Sequence, residues 1–129
     1  MRALHIGFVC SSERNADRFF RDLLGLTKQE PKTIPVTIAK PLFGLDAPLP
    51  AINYSGADLH AEVFISETSA VPSDRISHTC LEVENAEEFL KRANALGFGV
   101  SRIPKASDYI LFLDDLDGNR FEIKQAATG

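Results

Sequence analysis

Apolar and polar residues alternate from Leu4 to Val9, with Leu4, Ile6 and Phe8 on one face and His5, Gly7 and Val9 on the other. Period two is the mark of a strand with unlike faces. Ser11 or Ser12 then offers an N-cap hydroxyl, and Ala16, Phe19, Phe20, Leu23 and Leu24 recur at helical spacing. Gly25 follows the last of them, where a left-handed cap forms most easily. Beyond it, Thr33–Lys40 is rich in β-branched residues but carries Pro35, which predicts an edge or distorted strand. Pro41–Pro50 reads as a loop, and Ala51–Tyr54 and Leu59–Ile65 as strands divided by the turn Ser55–Asp58.

The second half repeats this order. Ile76–Val83 alternates again, placing His78, Cys80 and Glu82 on one face and Thr79, Leu81 and Val83 on the other. Asn85 with Glu88 three residues on forms a capping-box-like start, followed by the stripe Phe89, Leu90, Ala93, Leu96 and the stop Gly97. Phe98–Ile103, Tyr109–Leu113 and Arg120–Gln125 are the remaining strands, with Asp117-Gly118-Asn119 as a tight turn before the last. His5 precedes Gly25 by 20 residues and His78 precedes Gly97 by 19. A unit of about 60 residues occurring twice directs attention to a site shared by the copies. The expectation is one domain over 1–129 built of two modules, about 1–68 and 74–126, joined by the short polar stretch Ser66–Asp74.

Composition narrows the field. The 129 residues are 44% hydrophobic and 25% charged, enough apolar content for one real core without staples. Two cysteines supply no disulfide framework and suit a reducing compartment. Net charge is −4 with no basic block, which argues against nucleic acid, whose affinity is mostly phosphate neutralisation. The apolar run Leu4–Cys10 is too short and too interrupted for a secretory signal, and no run approaches the ~20 residues of a membrane span. A soluble, cytoplasmic protein is expected.

Each copy carries a histidine in its first strand, His5 and His78, and a glutamate in its last, Glu62 and Glu122. Leu59, Ala61, Val63 and Ile65 oppose Glu62, and Phe121 and Ile123 oppose Glu122, so all four polar residues should leave the face that carries no helix. If the modules curve into one sheet, the quartet converges. Two imidazoles and two carboxylates suit a first-row divalent metal, leaving two octahedral positions for water or substrate oxygens. A lone strand histidine or sheet glutamate is ordinarily structural or solvated; matched positions in two copies make the quartet a metal site. His60 shares the face of Glu62 without a counterpart and is read as supporting a ligand or facing substrate. Cys80 is read as a buried space-filling thiol, and Cys10 as having no nucleophilic role. Lys124 and Arg120 beside Glu122 are read as solvated edge charges in preference to substrate contacts. Phe43 and Leu45 suit a lid over an apolar substrate or packing at a dimer interface.

The segments Leu4-His5-Ile6-Gly7-Phe8-Val9, Phe19-Phe20-Arg21-Asp22-Leu23-Leu24-Gly25-Leu26, Ile76-Ser77-His78-Thr79-Cys80-Leu81-Glu82-Val83 and Asp115-Leu116-Asp117-Gly118-Asn119-Arg120-Phe121-Glu122-Ile123 resemble the vicinal oxygen chelate superfamily, the glyoxalase, bleomycin resistance and extradiol dioxygenase group. Leu116 stands where the family commonly has proline, a turn-shaping position. The resemblance implies an α+β fold of two βαβββ modules forming an open, cupped, eight-stranded mixed sheet with helices on its outer face. It implies one divalent ion (Ni, Co, Mn, Fe or Zn) held by His5, Glu62, His78 and Glu122, a set most like glyoxalase I. The implied chemistry is a lyase- or isomerase-type proton shift next to a metal-bound carbonyl or hydroxyl of a small substrate, with Glu122, and Glu62 beside it, as catalytic base. A homodimer is implied, the site lying within one chain or across two. The alternatives are a non-catalytic drug-binding protein of the same fold and an extradiol-type dioxygenase.

Overall fold

The computed structural model describes residues 1–67 and 76–127, so most of the expected linker Ser66–Asp74 lies outside the described residues. The chain divides into two compact units, Met1–Ala70 and Val71–Gly129. The fold is α+β, each unit building a sheet of its own with a helix against it.

In the first unit β1 (Ile6–Cys10) leads into helix α1, which begins as Glu13–Ala16 and continues as the π-helical stretch Asp17–Leu23. Ser12 is the N-cap, its Oγ accepting from the Asn15 N–H at 3.1 Å. The Leu24 N–H reaches back to the Phe19 carbonyl at 2.9 Å, one residue further than an α-turn. The wider turn draws successive side chains toward one face, so Phe19 and Phe20, adjacent in sequence, are both fully buried. Phe20 packs on Phe8 of β1 at 5.1 Å and on Tyr54 at 5.6 Å. The Tyr54 hydroxyl donates to Asp17 Oδ1 at 2.8 Å, while Lys28 binds Asp17 at 3.0 Å and Glu13 at 2.8 Å. Burial and the Asp17 carboxylate push the Tyr54 phenol far above its ordinary range. Gly25 closes the helix at φ 72°, as Gly97 does in the second unit at φ 89°.

The proline-rich segment departs from expectation. Strand structure is confined to β2 (Thr27–Lys28) and β3 (Lys32–Ile34), and Val36–Phe43 is a helix, α2, where an edge strand and a loop are predicted. Pro35 at φ −68° begins it, its carbonyl accepting from the Ile38 and Ala39 N–H groups at 2.9 Å. Tertiary packing overrides the β propensity of Val36-Thr37-Ile38: Ala39 is fully buried, and Phe43 meets Phe64 at 5.3 Å. Pro41 lies inside this short helix, where it forgoes one backbone bond, and the helix stops at Gly44.

β4 (Leu49–Ser55) and β5 (His60–Ile65) complete the first sheet in the order β1-β5-β4-β2, with β3 also pairing β4. The second unit runs β6 (Thr79–Val83), α3 (Ala86–Ala95), β7 (Gly99–Lys105), β8 (Asp108–Asp114) and β9 (Arg120–Gln125), ordered β6-β9-β8-β7. The two orders correspond strand for strand. Nine described strands replace the expected eight because β2 and β3 share the place that β7 fills alone. Asn85 caps α3 as expected, accepting from the Glu88 N–H at 3.0 Å. Leu90 and Ala93 of α3 are buried, as are Leu113, Phe121 and Ile123 of the sheet. At the turn before β9, the Asp115 carboxylate accepts from the Asp117 and Asn119 N–H groups at 2.9 and 2.8 Å. Among the described residues no helix is long and apolar enough to cross a membrane.

Candidate metal centre

In each unit a parallel strand pair sets the geometry. β1 and β5 align Gly7 with Glu62, and β6 and β9 align Cys80 with Glu122. Paired positions share a face, and side chains two residues apart share it too. His5 precedes Gly7 by two and His78 precedes Cys80 by two, so each histidine stands on its glutamate's face, just ahead of the strand. Both were expected within the strand; β1 begins at Ile6 and β6 at Thr79.

In the first unit, His5 Nε2 lies 3.7 Å from Glu62 Oε1. The other oxygen, Oε2, accepts from Lys32 Nζ at 2.8 Å. Ala61 and Val63, on either side of Glu62 in sequence, are fully buried on the opposite face. Asn53 of β4 pairs beside Glu62, and Phe64 with Phe43 of α2 makes an apolar wall two residues along β5. His60, expected near Glu62, has its Nε2 3.2 Å from Ser55 Oγ, which also accepts from Gln29 Nε2 at 2.8 Å.

The second unit repeats the pair. His78 Nε2 lies 3.6 Å from Glu122 Oε1, and Lys124 Nζ lies 3.7 Å from Oε2. His78 Nδ1 is 2.8 Å from the Ile76 carbonyl. A carbonyl only accepts, so Nδ1 holds a proton, and Nε2 is the ring nitrogen placed toward the carboxylate. Phe112, paired with Glu122 across β8 and β9, meets the His78 ring edge-on at 5.7 Å. Arg120 is held by Asp114 at 3.1 Å and lies over the Phe112 ring, in keeping with a structural edge charge. Cys80 is exposed, not buried as its residue type suggested, because it sits on the polar face with His78 and Glu82.

Separations of 3.6 and 3.7 Å exceed an ordinary N–H···O bond. They lie within reach of a common cation: ligands about 2.1 Å from one ion are at most about 4.2 Å apart, and about 3.4 Å apart at the tetrahedral angle, a small closure from the separations here. The donor chemistry of each pair therefore fits a divalent metal.

Lys32 is the member of this face that the alternation pattern missed. Its place depends on β3 pairing Lys32 with Ala51 of β4, and proline density masked that pairing.

No family model and no curated protein matches the chain. Among solved structures it is similar to the glyoxalase family protein from Enterococcus faecalis, with TM-score 0.73 and 20% identity over 95% of both chains. It is similar to a mutant of the fosfomycin resistance protein FosX from Listeria monocytogenes, complexed with Mn(II) and 1S,2S-dihydroxypropylphosphonic acid, with TM-score 0.74 and 12% identity over 98% of this chain and 93% of that one. FosX from Mesorhizobium loti follows at TM-score 0.67 and 13% identity, over 98% and 92%. The chain thus shares its fold with members of the vicinal oxygen chelate superfamily.

Proposed function

We propose that His5, Glu62, His78 and Glu122 together hold one divalent ion, and that the protein is a metal-dependent enzyme moving a proton on a small substrate. One observation carries the reading: the same His–Glu pair, at 3.7 and 3.6 Å, stands in the same strand register in both units. The Mn(II) complex of a FosX neighbour supports a divalent ion and puts manganese first among Ni, Co, Mn, Fe and Zn. When bound, the ion supplies Lewis-acid polarisation of a substrate carbonyl or hydroxyl. Glu122 takes the proton from the adjoining carbon, and Glu62 shares that work or holds the ion. The Phe43–Phe64 and Phe112 rings offer apolar contact to the substrate's remaining atoms. We further propose a single domain of two modules acting as a homodimer, in which the exposed Ile38 and Leu42 of α2 are covered. A cytoplasmic setting is in keeping with Cys10 and Cys80 forming no disulfide.

The test is metal content. Protein purified without chelator holds about one divalent ion per quartet, and His5→Ala abolishes that binding. A preparation with no ion, and none acquired on dialysis against Mn(II), would leave ligand sequestration by the same fold as the better reading.

A further inference from the structure

We infer that Lys32 is a positioning residue that fixes Glu62 as a one-oxygen metal ligand and leaves Glu122 as the mobile carboxylate; the inference rests on the metal reading above. A glutamate near a cation can chelate through both oxygens, bind through one, or swing away. Lys32 Nζ holds Glu62 Oε2 at 2.8 Å, a charge-assisted bond that occupies one oxygen and leaves Oε1 turned to His5. The two glutamates are similarly buried, Glu62 at 15% and Glu122 at 19% side-chain exposure, so what separates them is the lysine each one meets.

The lysine arrives from β3, one of the two short strands that fill the place of β7. β3 pairs Lys32 with Ala51, two residues along β4 from Asn53, which in turn pairs with Glu62. Lys32 thus reaches diagonally across β4, and Ile34 paired with Leu49 keeps β3 in place. Glu122 is held differently. Lys124 sits on the same strand, 66% exposed and 3.7 Å from Oε2, beyond hydrogen-bond length. A side chain so exposed and so distant restrains its neighbour little. One carboxylate is clamped; the other can exchange between ligation and proton transfer.

Calorimetric titration of the metal-free protein with Mn(II) alone tests the assignment. Lys32→Met weakens Mn(II) binding roughly 10–100-fold, the usual consequence of losing an outer partner of a ligand. Lys32→Arg, which keeps a charged donor, restores most of that loss, and Lys124→Met changes affinity less than about threefold. The metal-free melting temperature of Lys32→Met stays at the wild-type value, separating positioning from folding. Wild-type affinity in Lys32→Met, or tighter binding, overturns the role of Lys32 while leaving the metal site standing. A wild type that binds no Mn(II) overturns both.

Discussion

The two units are built on one strand order and arm one face with the same pair of side chains, yet they differ in what surrounds the pair. Around His5 and Glu62 the surroundings come from the segment between α1 and β4: Lys32 from β3 and Phe43 from α2, a helix with no counterpart in the second unit. Around His78 and Glu122 they are native to the repeat: Lys124 from β9 itself and Phe112 from the neighbouring β8. The regular helix α3 spans ten residues, whereas α1 widens into a π-helical stretch to bury two adjacent phenylalanines. Strand register thus sets the same pair in both units, and the segment between α1 and β4 gives the first pair different neighbours.

The sharpest way to break this comparison is to neutralise each glutamate in turn. With Mn(II)-loaded protein and hydroxyacetone in deuterated water, Glu122→Gln is expected to lower deuterium incorporation at carbon by roughly 10²–10⁴-fold, the range for loss of a general base. Glu62→Gln is expected to act chiefly through weaker Mn(II) binding and to recover at saturating metal. Equal losses from both, or recovery of both, would erase the division of labour between the units.

Core truncation probes the same difference through stability. Phe20 contacts Phe8, Phe19 and Tyr54, so Phe20→Ala opens a cavity walled by rigid rings and costs about 4 kcal/mol. Leu90→Ala in α3 removes a smaller buried group and costs about 3 kcal/mol. Urea denaturation of the full chain gives both values. A larger loss at Leu90 would mean that the aromatic cluster closes over its vacancy.

Much of this was legible because period-two alternation and strand register are the same fact. Once Glu62 and Glu122 were seen opposite runs of apolar residues, their faces followed, and Ala61, Val63, Phe121 and Ile123 are buried accordingly. Ser12 and Asn85 were legible because a capping side chain has few substitutes. The segment 31–50 was not, since its five prolines and β-branched residues point locally to strand or loop, and only packing of Ala39 and Phe43 makes it helical. Lys32 was hidden for the same reason. Cys80 was misjudged by residue type: cysteine usually lies buried, but its strand position puts it on the polar face.

The smallest expected effect concerns the turns that lead into the final strand of each unit. Before β9, Asp115 is buried, and its Oδ2 accepts from Asn119 Nδ2 at 2.7 Å in addition to the two backbone N–H groups on Oδ1. Burial pushes its carboxyl above the ordinary carboxylate value, with those hydrogen bonds opposing the shift only in part. A carboxyl raised in the folded state favours folding most when protonated. Its contribution is complete below the unfolded value of about 3.9 and is lost as pH rises through the folded value. Asp115→Asn cannot titrate. The melting temperature of the wild type relative to Asp115→Asn should therefore rise as pH falls from 7 toward 4, even while both proteins lose stability through their other acids. The corresponding turn before β5 carries Asp58 on the surface, so Asp58→Asn is the matched control. A wild-type advantage that shrinks on acidification would mean that the hydrogen bonds to Asp115 outweigh its desolvation, and that this turn favours the ionised form.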